Sequence, residues 1–124
     1  MASHNAAPEI IMFVRHGEKP GEGSRPHGVN HHGEIDEHSL SVKGWTRAGA
    51  LAGLFAHAPS RSHPHIVRPG RIFATRPTHE AKSKREMHTA EPIAKRLNLK
   101  SKTRTPTAMK RTWRGKCSAG RKRR

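Results

Sequence analysis

The sequence has few of the residues that would cross-link a small protein or place it in a membrane. Its 124 residues include a single cysteine, Cys117, no tyrosine and only 4% aromatic residues. No disulfide bond can form within the chain, and the core is expected to be lean. No apolar run approaches the ~20 residues that span a membrane. Residues 1–8 lack the basic start and apolar segment of a secretory signal. We expect one cytoplasmic domain with a flexible N-terminus at 1–8.

Acidic residues are also scarce, and the excess positive charge is concentrated at one end. The chain has nine Asp and Glu residues and 25 Lys and Arg residues, which gives a formal net charge of +16. Residues 101–124 carry four Lys, six Arg and no acidic residue. Such a segment binds polyanions without sequence preference. Because it also has no apolar face, residues 100–124 are predicted to form a disordered basic tail.

Five consecutive apolar residues at 10–14 are the clearest structural signal. A continuous run of this length favours a strand buried on both faces of a parallel sheet, and we predict a strand at 9–14. The run stops at R-H-G-E, and ligands of open α/β sheets bind at the carboxyl ends of strands. Arg15 and His16 are therefore candidate site residues, and Glu18 is a candidate for the pocket mouth. The alternative is a buried strand with a solvated basic end.

The rest of the first hundred residues alternates between predicted strands and helices. Residues 19–38 are polar, without periodicity, and are predicted to form a long loop. Apolar residues at helical spacing predict helices at 41–57 and 84–97, with a short strand at 71–75 between them. Pro92 is expected to kink or split the second helix. The order strand, helix, strand, helix predicts an α/β fold with layers of helices around a mostly parallel sheet.

The start of the second predicted helix carries another candidate site residue. Ser83 and Glu86 match the S-x-x-E capping box. Arg85 falls in the first turn, where free backbone N–H groups and the helix dipole favour an anion. If this turn faces the end of the first strand, Arg15 and Arg85 form a phosphate pocket around His16. An isolated, solvated Arg85 is the alternative.

Four stretches, in this order, resemble the motifs of the histidine phosphatase superfamily, the phosphoglycerate mutase-like proteins. R-H-G-E at 15–18 resembles its first signature. L-S-V-K-G-W-T-R-A at 40–48 resembles its L-S/T-x-x-G-x-x-Q-A element, with Arg47 where Gln is usual. I-F-A-T at 72–75 and R-E-M-H-T-A at 85–90 resemble its I-x-x-S strand and R-A-x-Q/H-T-A helix.

The resemblance implies a phosphatase or mutase that acts on a phosphomonoester, either a phosphorylated small molecule or a phosphoprotein. His16 would attack phosphorus and carry the phosphoryl group as phosphohistidine, while Arg15 and Arg85 would hold the phosphoryl oxygens. The family requires no metal and no other cofactor. The eleven histidines match none of the standard zinc spacings, so no metal site is predicted.

The resemblance ends near residue 99, so residues 9–99 are expected to form a partial, incomplete domain of this type. The family also needs a second histidine and an acidic proton donor late in the chain. This sequence has no histidine after His88 and no acidic residue after Glu91. Activity is therefore expected to be weak or absent. Two alternatives stay open: nucleic-acid binding through the basic tail, and a non-functional truncated remnant that does not fold stably.

A frameshift would explain the change of composition at Lys100. Back-translated from that residue with permitted synonymous codons, the segment reads in another frame as VENTYANGDEKDVAREVLSGKK. That peptide is balanced in charge and contains a stripe of apolar residues at helical spacing. We hypothesise that a frameshift replaced the second half of the domain. A stop codon in that frame of the encoding DNA would contradict this hypothesis.

Overall fold

A computed structural model describes residues 9–21 and 25–119 of the chain. Within these residues, three helices pack around a two-stranded parallel sheet. The elements are, in chain order, α1 (Val42–Ala56), β1 (Ile72–Thr75), α2 (Arg85–Arg96), β2 (Ser101–Arg104) and α3 (Pro106–Ala119). The predicted α/β class and the parallel character of the sheet are confirmed, although the strand that pairs with β1 is not the one predicted. The flexible N-terminus predicted at 1–8 lies outside the described residues.

Helix α1 forms where its apolar spacing predicts it. Ser41 caps it, because the Ser41 Oγ accepts a hydrogen bond of 3.1 Å from the Gly44 N–H. The helix buries one face against α2. The side chains that form this shared core are Ala52, Phe55, Ile93 and Leu97. Burial of this kind contributes about 1.5–3 kcal/mol for each large side chain.

Helix α2 differs from its predicted form at its start. The Ser83 hydroxyl donates to the Glu86 carboxylate, with 2.7 Å between the oxygens, in place of the reciprocal bonds to backbone N–H groups that define a capping box. Pro92 does not split the helix, which is continuous through it. The kink that the sequence analysis gave as the other outcome stays a prediction. Ile93 and Ala94, directly after the proline, are buried. Their packing holds the helix together at the point where one backbone hydrogen bond is lost.

Strands β1 and β2 pair in parallel, with Ile72 opposite Ser101 and Thr75 opposite Arg104. Helix α2 connects them, as a parallel pair requires a crossover. The ammonium group of Lys102 lies 5.9 Å from the centre of the Phe73 ring. The polar sequence of β2 is compatible with this position, because strand pairing uses backbone groups and its side chains are mostly exposed.

The structure differs from the prediction of a disordered tail over residues 101–119, which form β2 and α3. The missed signal is Thr105-Pro106. The Thr105 hydroxyl accepts a hydrogen bond of 3.2 Å from the Ala108 N–H, and proline is favoured at the first position of a helix. Met109 anchors α3 by burial. The structure does not describe residues 120–124 of the predicted tail.

The strand predicted at 9–14 is not formed, although these residues are described. A strand needs a neighbour for its backbone groups, and the paired strands here are β1 and β2. Residues 9–14 instead line one side of a groove that β1 lines on another side. Ile10 and Phe13 consequently remain 56% and 76% exposed.

The described parts of the predicted long loop, 19–21 and 25–38, contain no helix. The middle of the loop is anchored to α1. The Asn30 side-chain oxygen accepts hydrogen bonds from the N–H groups of His32 and Glu34, which closes a tight turn. The indole N–H of Trp45 donates to the Val29 carbonyl at 2.8 Å. Among the described residues, no helix is long and apolar enough to cross a membrane.

Candidate functional site

The turn that follows His16 is fixed to α2. The Gly17 N–H donates to the Thr89 hydroxyl at 2.8 Å, and this hydroxyl donates to the Arg85 carbonyl at 2.7 Å. Gly17 and Thr89 are both buried. The first signature therefore lies against the first two turns of the helix that Arg85 begins.

The same turn is also fixed to the start of α1. The Glu18 carbonyl accepts hydrogen bonds from the Ser41 N–H and the Ser41 hydroxyl, at 3.1 and 3.0 Å. The backbones of Gly17 and Gly44 touch, because a Cβ on Gly17 would lie 2.7 Å from the Gly44 carbonyl oxygen. A Cβ on Gly44 would lie 2.5 Å from the Glu18 carbonyl oxygen. Only glycines allow this approach.

The hydrogen bond of His16 shows which of its two ring nitrogens carries the proton. Its Nδ1 lies 2.7 Å from the Gly17 carbonyl oxygen. A carbonyl oxygen only accepts, so Nδ1 carries the proton. In the neutral ring, Nε2 then holds the lone pair that a nucleophile needs.

His16 is half-buried and lines a groove of about 820 Å³, which we call the His16 groove. The groove lies between residues 9–14, β1 with the segment before it, and one face of α2. On α2, Glu86 and Thr89 are among the residues that line it. His16 therefore borders a space large enough for a small phosphoester.

The two predicted phosphate ligands take different positions. The side chain of Arg15 is exposed. The guanidinium of Arg85 donates from Nη1 to the Glu37 carbonyl at 3.2 Å. Its Nε is buried and has no hydrogen-bond partner among the described residues. A buried guanidinium N–H without a partner is uncommon. Neither Arg15 nor Arg85 is among the residues that line the groove beside His16.

Glu18, the predicted residue at the pocket mouth, is held on α1. Its Oε1 accepts two hydrogen bonds from Arg47, from Nε at 3.1 Å and from Nη2 at 2.7 Å. These bonds hold the pKa of the Glu18 carboxyl below its ordinary value. Arg47, which stands where the resembled family has Gln, thus keeps Glu18 ionised.

Comparison of the chain with protein-family models, with curated proteins and with solved structures found no match. The resemblance therefore rests on the short motifs and on how they come together. Among the described residues, no group of three or more His, Cys, Asp or Glu side chains is placed to hold a metal ion.

The loop at 36–39 covers the N-terminus of α2. The His38 carbonyl accepts a hydrogen bond of 2.9 Å from the Lys84 N–H. Asp36 accepts from the Lys84 ammonium at 2.8 Å, and also from the His38 N–H and the Ser39 hydroxyl. These donors, Lys84 first, lower the pKa of Asp36 to about 2. The loop is thereby joined to α2 beside Arg85.

Three aromatic rings form a cluster on another face of α2 that the sequence analysis did not predict. The ring centres of Trp45 and His88 are 4.7 Å apart, and that of His31 lies 4.9 Å from His88. Burial lowers the pKa of His88, with a smaller contribution from His31. The cluster joins the loop to both helices, because each ring comes from a different element.

Proposed function

We propose that this chain is a phosphoryl-transfer protein of the histidine phosphatase type, in which His16 forms a phosphohistidine. The observation that carries the proposal is the meeting of three motifs at one turn. Residues 15–18, 40–48 and 85–90 are far apart in the sequence, yet hydrogen bonds and glycine contacts join them around Gly17. The motifs resemble those of the family, and His16, next to this turn, lines a groove.

The proposed chemistry follows from the groups at this turn. The Nε2 lone pair of His16 attacks phosphorus, and the bond from phosphorus to the leaving oxygen breaks. In this proposal the guanidinium groups of Arg15 and Arg85 turn toward the groove, bind the phosphoryl oxygens and stabilise charge in the transition state. Water then attacks the phosphohistidine and releases phosphate. The substrate is a phosphorylated small molecule or a phosphoprotein.

The rate is expected to be low compared with an intact member of the family. The second histidine that the family carries late in the chain has no counterpart here, since no histidine follows His88. One hydrogen-bond donor lost from a transition state costs on the order of 10²–10³ in kcat. A reactive aryl phosphate is therefore the appropriate substrate for the first assay.

The experiment is hydrolysis of 2,4-dinitrophenyl phosphate, with acid-quenched samples tested for an acid-labile, base-stable phosphoenzyme. Wild type should release dinitrophenol and form the phosphoenzyme, and His16→Ala should do neither. His32→Ala, in the exposed loop, is the matched control and should behave as wild type. A wild type without activity, or a His16→Ala variant that keeps the activity, would overturn the proposal.

A second candidate function is polyanion binding by α3. Its exposed residues include Lys110, Arg111 and Arg114, and no acidic residue lies in the helix. Neutralised phosphates release counterions, so such binding weakens steeply as salt rises. Titration of a fluorescent single-stranded oligonucleotide at 50 and 200 mM salt tests it. Affinity that does not change with salt, or with Lys110→Gln and Arg111→Gln, would exclude this function.

A further inference from the structure

The His16 groove lies between the edge of the sheet and a segment with the composition of a strand. Strand β1 is at the sheet edge, because β2 pairs with one of its sides and no strand or bridge among the described residues pairs with the other. On another side of the groove, the apolar segment 9–14 also pairs with no strand of the described chain. An open strand edge is a template for pairing with another chain.

The groove has the size of one short strand. A residue of a packed sheet occupies about 160 Å³, from a rise of about 3.3 Å, a strand spacing of about 4.8 Å and a face-to-face spacing of about 10 Å. At that value, the groove volume of about 820 Å³ holds about five residues of a strand. Strand β1 has four residues, and the segment 9–14 is of similar length. One extended segment therefore matches the groove in both volume and length.

The walls of the groove favour apolar side chains at the centre of such a segment. The lining includes Phe73 of β1, Ile93 of α2 and Met109 of α3. It also includes Ile10 and Phe13, which are 56% and 76% exposed. A strand with neighbours at both edges is typically an unbroken apolar run. Exposed apolar side chains grouped along one groove mark an interaction site.

The charge of the chain decides between a second copy and a different partner. Arg68 and Arg71 line the groove together with two carboxyl groups, those of Glu9 and Glu86, and the exposed Arg15 follows the segment 9–14. The whole chain carries a formal net charge of +16. Two copies therefore repel one another, whereas a partner with acidic residues is attracted.

We propose that the His16 groove binds one extended segment of a partner protein as an added strand between β1 and residues 9–14. The segment has an apolar centre of about five residues, set by the groove volume, and acidic flanks. Its backbone N–H and C=O groups pair with β1 on one side and with residues 9–14 on the other. The proposal does not depend on phosphoryl transfer, because the pairing uses backbone groups rather than the imidazole of His16.

The test is a fluorescence anisotropy titration of the full chain with a labelled peptide, E-E-V-I-V-V-V-E-E. We expect saturable binding. The same peptide with alternate central amides N-methylated cannot donate hydrogen bonds at one edge and should not bind. A peptide with lysine in place of each glutamate should bind more weakly, and the difference should shrink as salt rises. Equal binding of the N-methylated peptide would overturn the proposed strand pairing.

Two isoleucines give a matched pair of variants. Ile10→Asp places a charge on the groove wall that the peptide would bury, and it should weaken binding by about tenfold or more. Ile35→Asp makes the same change at a loop residue that is 73% exposed and lies outside the groove lining. It should bind the peptide as wild type does. Equal affinities of the two variants would place the peptide outside the groove.

Amide hydrogen exchange shows whether the peptide is held by backbone pairing. The peptide should slow exchange within residues 10–14 and in the amides of β1 that do not pair with β2. If the amides of 10–14 are already protected without peptide, this segment closes on β1 by itself and the proposal is wrong. Sedimentation of the chain alone should show a monomer. A concentration-dependent dimer that Ile10→Asp abolishes would assign the groove to a second copy instead.

Discussion

Gly17 and Thr89 are 72 positions apart, yet the N–H of one donates to the hydroxyl of the other at 2.8 Å in a buried environment. The hydroxyl in turn donates a hydrogen bond to the Arg85 carbonyl. A backbone N–H in the first motif is thus satisfied by a side chain in the last. This bond fixes where the first motif lies along α2, and with it the side of the groove on which His16 is placed.

Replacing Thr89 with valine should destabilise the protein and loosen this turn. Valine has the same shape but no acceptor, so the Gly17 N–H stays buried without a partner, at a cost of about 1–3 kcal/mol. Thr89→Ser keeps the hydroxyl and should lose less. The midpoint of urea denaturation measures both. A valine variant as stable as the serine variant would show that the hydrogen bond contributes nothing.

Two glycines in α1 should respond in opposite directions to the same change. A Cβ at Gly44 would meet the Glu18 carbonyl oxygen at 2.5 Å, so Gly44→Ala should destabilise the fold by about 1–3 kcal/mol through overpacking. A Cβ at Gly49 meets nothing within 4 Å. Gly49→Ala should therefore stabilise the helix by about 0.5–1 kcal/mol. Thermal melts followed by circular dichroism give the sign of each, and equal signs would contradict the contact at Gly44.

Helices α1 and α2 and strand β1 were predictable because each carries a local signal. Ser41 caps α1, and the apolar residues of both core helices recur at helical spacing. The strand at 9–14 had an equally clear signal, but a strand also needs a partner. Tertiary structure decides which segment pairs with β1, and the segment that pairs is the polar stretch 101–104. No apolar pattern marks such a strand.

The sequence predicted only those residues of the candidate site that belong to recognisable motifs. His16 and Arg85 could be selected because their sequence contexts carry chemistry. Thr89 gave a weaker signal, since its role depends on facing the turn rather than on residue type. Glu18 was expected at the pocket mouth. Its ion pair with Arg47, 29 residues away, could not be read from either motif alone.

Removing the Lys84 ammonium should raise the pKa of Asp36 from about 2 toward its ordinary value of 3.8, because Lys84 is the largest cause of the shift. The bonds from His38 and Ser39 remain, so the return should be partial. The lowered pKa stabilises the folded state above about pH 3.8, and this contribution is lost as pH falls toward 2. NMR titration of the Asp36 carboxyl carbon in Lys84→Ala measures the change, with the exposed Lys82→Ala as control. An Asp36 pKa unchanged in Lys84→Ala would contradict the assignment.

The buried imidazole of His88 should make the fold sensitive to mild acid, at higher pH than Asp36 does. Its surroundings carry mixed charge, with His31 and Asp36 from the loop, and Lys84 and Glu91 around α2. Burial is the largest cause of its shift and lowers the pKa below the ordinary 6.5. As pH falls through 6.5, the unfolded chain therefore takes up a proton before the folded chain does.

Stability should consequently fall below about pH 6.5, by up to about 1.4 kcal/mol per pH unit, until the folded imidazole is itself protonated. The free energy of unfolding at pH 7.5 and 5.5 measures this loss. His88→Gln cannot titrate, so its two values should lie closer together than those of wild type, whatever packing it loses. His65→Gln, in an exposed loop, should keep the wild-type difference. If His88→Gln also keeps that difference, the acid sensitivity must come from other groups.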